Sequence, residues 1–150
     1  MALYLISREN ATPVAGDMML SLTTGLQEIC KVRGIMLGGE AGASTVNRMA
    51  VRRSTTNLIT PTAQTPAKKS STSPAAYTDA ATTAGTQPVT AALPALWTVS
   101  LNTFGGIVTW SAGPDEELLI QGATAGNNEL SLESASGTGV LSGEMCFEEV

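Results

Sequence analysis

Residues 96–121 read LWTVSLNTFGGIVTWSAGPDEELLIQ, and this stretch decides the fold class. It contains three short runs in which apolar residues alternate with polar ones: Leu96–Leu101, Gly106–Ala112 and Glu117–Gln121. Alternation with a period of two is typical of half-buried strands, and the Gly and Pro residues between the runs are turn signals. In the first run Trp97, Val99 and Leu101 share one face, which we expect to look inward. The stretch therefore predicts consecutive antiparallel strands.

The same pattern extends to both sides of this stretch. Further strands are predicted at Leu3–Ile6, Met18–Thr23, Leu26–Leu37, Thr45–Arg53, Glu129–Glu133 and Val140–Glu148. The alternation places Met49 and Val51 on the inner face of one strand, and Leu141, Met145 and Phe147 on the inner face of the last. A short helix over residues 21–29 is an alternative. Eight strands after the first short one predict a single all-β domain over residues 1–150, an antiparallel sandwich or barrel of the jelly-roll kind.

Residues 54–95 differ in composition from the rest of the chain. Of these 42 residues, 30 are Ala, Thr, Ser or Pro, and five of the seven prolines lie here. Proline donates no ladder hydrogen bond, so the segment cannot form a central strand. It is either a disordered linker or a long ordered loop on the surface of the domain. The scattered apolar residues Leu58, Ile59, Tyr77 and Leu93 favour the ordered loop.

Several classes of function are disfavoured by composition. The chain has no histidine, so it lacks the usual general base, proton shuttle and commonest metal ligand. Two cysteines, Cys30 and Cys146, are too few for a disulfide framework or a four-ligand zinc site. By strand phase we expect Cys30 to be buried and Cys146 to be more exposed. We therefore expect no enzyme activity, with no catalytic residues, no cofactor and no metal.

The charge pattern disfavours nucleic acid and membrane as partners. The net charge is −5, and no apolar run approaches the roughly 20 residues that span a bilayer. The first ten residues have no basic leader, which favours folding in a cytoplasm.

Charge is also distributed unevenly along the chain. All eight basic residues and four of the acids lie in residues 1–69, which gives +4, whereas residues 70–150 carry nine acids and no base. In a jelly roll the last strand would lie beside Thr45–Arg53. We therefore predict cross-strand ion pairs in which Arg48 and Arg52 face Glu144 and Glu148, each contributing about 0.2–1 kcal/mol.

Four segments carry a resemblance to a known family: YLISREN at the start, the strand NRMAVRRST, the loop TPTAQTPAK and the ending GEMCFEEV. With the strand spacing, they make the chain similar to the jelly-roll capsid cement (decoration) proteins of tailed bacteriophages. The resemblance implies a virion protein, assembled in the host cytoplasm, that binds the outer surface of the head. It also implies a homotrimer that clamps neighbouring subunits of the major capsid protein.

An alternative function is a phage tail or fibre recognition module that binds a host surface glycan. Such modules stack exposed aromatic rings on sugars, whereas Trp97 and Trp110 both lie in apolar strand phase. A hydrolase is a weaker third reading, because no activating base is visible.

Overall fold

The computed structural model describes residues 2–16, 18–25, 27–54, 62–81, 94–121 and 129–150, and these residues contain twelve strands and no helix. The strands are β1 (Ala2–Ala11), β2 (Met18–Thr23), β3 (Ile29–Gly39), β4 (Val46–Ser54), β5 (Ala63–Gln64), β6 (Ala67–Lys68), β7 (Asp79–Ala81), β8 (Trp97–Asn102), β9 (Ile107–Ser111), β10 (Leu118–Gln121), β11 (Glu129–Ser136) and β12 (Leu141–Glu149).

The strands form two antiparallel sheets. The first sheet has the order β10-β3-β12-β1-β6, with β9 also paired to β3, and the second has the order β5-β7-β2-β11-β4-β8. Strands β9 and β10 lie one after the other along the same edge of β3, opposite Gly34–Gly38 and Ile29–Val32 respectively. The predicted all-β antiparallel sandwich is therefore confirmed.

The finer jelly-roll topology stays a prediction with which the strand order is compatible. Consecutive strands β1 to β4 alternate between the two sheets, and the last two long strands are inserted between earlier ones. Strand β11 lies between β2 and β4, while β12 lies between β1 and β3. Such long return connections are typical of Greek-key sandwiches.

The core fills the space between the sheets. Its largest fully buried side chains are Tyr4, Phe147, Ile6, Met18, Met19, Leu20, Leu22, Leu37, Met49, Ile120, Leu130 and Leu132. The rings of Tyr4 and Phe147 stack with centroids 5.5 Å apart. The predicted inner faces of β4 and β12 are confirmed, because Met49, Val51 and Met145 are fully buried.

The first strand is longer than predicted, and the alternative helix is not observed. The first strand runs to Ala11 rather than ending at Ile6, because its polar second half continues to pair with β12 as far as Leu141. The alternative helix over residues 21–29 is absent from the described part of that segment, where β2 continues to Thr23 and β3 begins at Ile29.

Of the predicted long loop at residues 54–95, the structure describes Ser54, which ends β4, and residues 62–81 and 94–95. We call residues 62–81 the excursion. Strand β6 pairs with β1 at the edge of the first sheet, and β7 pairs with β2 and β5 at the edge of the second. The Pro- and Ala-rich composition therefore forms short edge strands, as the proline argument requires. Of the four proposed apolar anchors only Tyr77 lies in the excursion; Leu58, Ile59 and Leu93 fall outside the described residues.

Candidate interaction surface

Three connections between strands meet at one end of the sandwich, and we call this the hairpin end. They are residues 40–45, 103–106 and 137–140. Backbone hydrogen bonds join them: the Ala41 N–H donates to Thr103 O at 2.9 Å, the Glu40 N–H to Val140 O at 2.9 Å, and the Thr103 N–H to Thr45 O at 2.8 Å. Because each loop satisfies groups of another, the three connections form one rigid frame.

Asn47 strengthens this frame from inside. Its amide donates to Gly139 O at 2.8 Å and accepts from the Gly139 N–H at 3.0 Å, and the side chain is fully buried. A Cβ at Gly139 would lie 2.2 Å from Oγ1 of Thr103, so only glycine fits between the two loops. The buried polar groups of the loops are thereby paired rather than left to solvent.

The hairpin end displays three apolar side chains to solvent. Phe104, Ile107 and Val46 are exposed by 63%, 73% and 62%. Phe104 lies in the turn between β8 and β9, Ile107 is the first residue of β9, and Val46 lies opposite Asn102 at the end of β8. The hydrogen bonds of the frame already order the backbone of these loops. Binding of a partner therefore costs little further conformational entropy here.

A groove of about 300 Å³ continues from the hairpin end over the outer face of the first sheet. Ile107 and Met36, which is 46% exposed, are its apolar members. A Cβ at Gly38 would meet nothing within 4 Å, so the groove floor is open there. The charged residues that line it are Arg8, Glu9, Glu40 and Glu144. The groove is thus apolar at its centre and carries more acid than base.

The predicted ion pairs of Arg48 and Arg52 with Glu144 and Glu148 are wrong. Strand β12 lies in the first sheet and β4 in the second, so these residues never face each other. Arg48 lies opposite Ser136 and Ser100.

Glu144 lies opposite Ser7 and Met36. Strand β4 lies between β11 and β8, and Arg52 binds Glu133 of β11 instead, with Nε and Oε1 2.5 Å apart. The prediction failed because strand phase shows which face a residue occupies and not which strand lies beside it.

Glu148 is bound by Arg33, which lies on the neighbouring strand β3. The Arg33 Nε donates to Glu148 Oε2 at 2.7 Å, and Nη1 of the same guanidinium binds Glu117. The hydrogen bond with Glu148 and the charges of both glutamates raise the pKa of Arg33, although burial opposes them. In each of these three ion pairs an arginine from residues 1–69 binds a glutamate from residues 70–150. The basic first part of the chain and its acidic second part thus attract each other.

Glu149 fastens the excursion to the end of β12. Its Oε1 accepts the N–H groups of Tyr77 and Thr78 at 2.8 and 2.7 Å, and the residue is 7% exposed. The Tyr77 hydroxyl donates to Ile29 O at 2.8 Å, and the Tyr4 hydroxyl donates to the carbonyl of the excursion's Pro74 at 3.2 Å. Sequence reasoning missed Glu149, because a charged residue at a strand end usually lies in solvent.

A second concavity, of about 580 Å³, lies between the excursion and β2. Its polar lining consists of Ser21, Thr23, Gln64, Thr65, Thr78, Asp79 and Glu129. Hydroxyl and carboxylate oxygens without a basic side chain disfavour an anionic ligand. No group of three or more His, Cys, Asp or Glu that could hold a metal occurs among the described residues.

The two cysteines lie in different environments, as predicted. Cys30 is fully buried, and this burial raises the pKa of its thiol to about 12, with a hydrogen bond from Thr78 opposing the rise. Cys146 is half-buried on the outer face of the first sheet. Burial raises the pKa of Cys146 as well, while the charge of Lys69 opposes it. Both thiols are free.

Thiol labelling should separate the two cysteines. With an aromatic disulfide reagent at pH 8, we expect one thiol per native chain to react, more slowly than a free cysteine, because only thiolate attacks. The second should react only after unfolding. In Cys146→Ser the native protein should show no reaction. Two rapidly reacting thiols in the native wild type would contradict the buried position of Cys30.

No protein-family model matches the chain, and no curated protein matches its sequence. Among the described residues there is no helix with the length and apolar character needed to cross a membrane.

Proposed function

We propose that this chain is a non-enzymatic structural protein that works by binding other protein subunits through its hairpin end. The observation that carries the proposal is the display of Phe104, Ile107 and Val46 on a hydrogen-bonded frame. Aromatic and aliphatic side chains that are exposed and held on a rigid frame are typical of the centre of a protein interface.

In its specific form, the proposal is a capsid cement protein on the outer surface of a phage head. Its partners are the major capsid protein and further copies of itself, in a homotrimer, and it is assembled in the host cytoplasm. A protein that binds the assembled head and not the dissociated subunits stabilises the head by mass action. Binding of this protein should therefore raise the resistance of the head to heat. The rigid hairpin end supports this role because little conformational entropy is lost when it binds.

The alternative, a glycan-binding tail or fibre module, has one feature in its favour. Phe104 is an exposed aromatic ring of the kind that stacks on sugars. Trp97 and Trp110, however, are partly buried and pack against the core. The other exposed apolar residues of the hairpin end are the aliphatic Ile107 and Val46. A protein partner covers such side chains better than a sugar does.

The test is binding of the purified protein to undecorated heads of the phage whose genome encodes it. We expect binding that raises the temperature at which the heads release DNA. Phe104→Ser should weaken binding roughly thirtyfold, because truncation of a central interface residue costs about 2 kcal/mol or more.

The matched control is Leu119→Ser. Leu119 is also an exposed apolar residue, at 44%, but it lies opposite Lys31, at the end of β3 away from Gly39. It should bind heads like the wild type. Binding to the host envelope without binding to heads would overturn the capsid proposal in favour of the glycan alternative. Equal losses for Phe104→Ser and Leu119→Ser would remove the hairpin end from the interface.

A further inference from the structure

The two sides of the sandwich differ in how their strand edges are protected. On one side the edges are β5 and β6, which are two residues long and are flanked by Pro66 and Lys69. On the other side the edges are β8 in the second sheet, with six residues, and β9 and β10 in the first sheet, with five and four residues. Within the described part of the chain, β8 pairs with β4 alone and β9 with β3 alone.

The β8–β9 side also lacks the residues that normally prevent a strand edge from pairing with another molecule. Strand β8 reads WTVSLN and β9 reads IVTWS, with no Lys, Arg, Asp, Glu or Pro in either. Natural sheets block exposed edges with charge, proline, bulges or very short strands, because a free edge is a template for another strand. On the β5–β6 side three of these devices are present: short strands, Pro66, and Lys68 within β6. The contrast marks the β8–β9 side as an edge kept free for pairing.

An apolar seam lies between these two edges. Trp97 and Val99 of β8, and Val108 and Trp110 of β9, pack against the core but remain partly exposed. Both tryptophans of the chain are in this seam. A strand added along either edge would cover it, so apolar burial and ladder hydrogen bonds would be gained together.

The geometry of the edges makes them complementary to each other. Strands β8 and β9 are joined by the short turn 103–106, and therefore run in opposite directions along the same side of the sandwich. Facing sheets are about 10 Å apart, which is twice the spacing of paired strands, so β8 and β9 of one copy cannot pair together. A second copy that is rotated about an axis parallel to the strands, so that its β8–β9 side faces that of the first, keeps its strand directions. Its β9 then lies antiparallel to β8 of the first copy. Neither strand carries charge, so no like charges oppose the contact.

We propose that β8 of one copy pairs antiparallel with β9 of a second copy, and that this pairing closes the seam of Trp97, Val99, Val108 and Trp110. Each copy offers one β8 and one β9 on the same side of the sandwich, so copies arranged about a rotation axis parallel to the strands use both edges and leave neither free. The proposal rests on the self-association in the proposed function and deepens it by naming the strands that join the copies, and its test needs no capsid partner.

The test measures self-association of the full chain by sedimentation. The wild type should have a mass that is a multiple of 15.4 kDa and should dissociate on dilution. Tryptophan emission should shift to the red, and quenching by acrylamide should rise, as the oligomer dissociates. Thr98→Lys in β8 and Thr109→Lys in β9, both at exposed positions, should each weaken self-association by about tenfold or more, because they place charge along the contact.

The matched control is Thr62→Lys, which adds the same charge at an exposed position on the excursion. It should associate like the wild type. Melting curves show whether each variant folds. The pairing between copies needs both strands, so one folded variant of the two is sufficient to test the proposal. A wild type that stays monomeric, or edge variants that associate as the wild type does, would overturn the proposal. A wild-type oligomer that fails to bind heads would overturn the capsid proposal and leave this one standing.

Discussion

Gly39→Ala is expected to lower the free energy of unfolding by about 3 kcal/mol, whereas Gly38→Ala should leave it almost unchanged. A Cβ built at Gly39 would lie 2.4 to 2.5 Å from the backbone O, C and Cα atoms of Thr103. A Cβ at Gly38 would meet nothing within 4 Å. The two glycines are neighbours in the same strand, so the pair of variants separates steric conflict from any general effect of replacing glycine.

The conflict at Gly39 has no easy relief. Thr103 is fully buried, its N–H donates to Thr45 O at 2.8 Å, and its carbonyl accepts from the Ala41 N–H at 2.9 Å. A shift of the Thr103 backbone would break both bonds, and overpacking where the backbone cannot yield costs more than overpacking against a side chain. Since Thr103 precedes Phe104, Gly39→Ala should also weaken binding through the hairpin end.

Urea unfolding followed by fluorescence checks this prediction. The midpoint should fall for Gly39→Ala with an unchanged slope, which indicates a change in stability rather than in the exposed surface. Gly38→Ala should be neutral or slightly stabilising, because alanine restricts the unfolded chain. Equal losses for both variants would show that the hairpin end is looser than the hydrogen bonds imply.

The alternation of apolar residues was sufficient to predict which faces of the strands are buried. Met49, Val51 and Phe147 lie inside as expected, and the sandwich follows from such faces. Alternation carries no information on which strands are neighbours. The partner of Arg52 is Glu133 rather than Glu148, because β11 and not β12 inserts beside β4.

The interaction surface was harder to predict than the fold. In the sequence, Phe104 and Ile107 flank a pair of glycines and so indicate a turn, but their exposure depends on how three distant loops meet. Glu129 and Glu133 alternate with buried leucines and would be expected in solvent, yet they are 1% and 5% exposed. Glu133 is bound by Arg52 of the neighbouring strand β4, and Glu129 lines the concavity beside the excursion; a single sequence shows neither neighbour.

Glu149→Ala is expected to lower the free energy of unfolding by about 3 kcal/mol. The carboxylate accepts two backbone N–H groups, from Tyr77 and Thr78, and a hydrogen bond to a charged acceptor contributes about 1.5–3 kcal/mol. Water can replace part of this at Tyr77, which is 38% exposed, but less at Thr78, which is buried. Glu149→Gln should lose less, because its amide oxygen can still accept both bonds, although as a neutral rather than a charged acceptor.

Glu144→Ala is the matched control for this variant. Glu144 is on the same strand but is half-buried on the outer face of the sheet, and its removal should change stability by no more than about 0.5 kcal/mol. A loss for Glu149→Ala as small as that of the control would contradict the role of Glu149 in fastening the excursion.

Two readouts show how far the effect of Glu149→Ala spreads. Hydrogen exchange at Thr78 reports on the excursion, whereas the emission of Trp97 and Trp110 reports on the opposite side of the sandwich. We expect exchange at Thr78 to accelerate more than global unfolding does, because Glu149 binds the excursion directly. Global stability should nevertheless fall, since Tyr4 both stacks on Phe147 in the core and donates to Pro74 in the excursion. That shared side chain makes the excursion part of the cooperative unit. A loop composed mainly of Ala, Thr, Ser and Pro is thus stabilised by a few specific polar contacts in addition to the small apolar area that Ala80 and Ala81 bury.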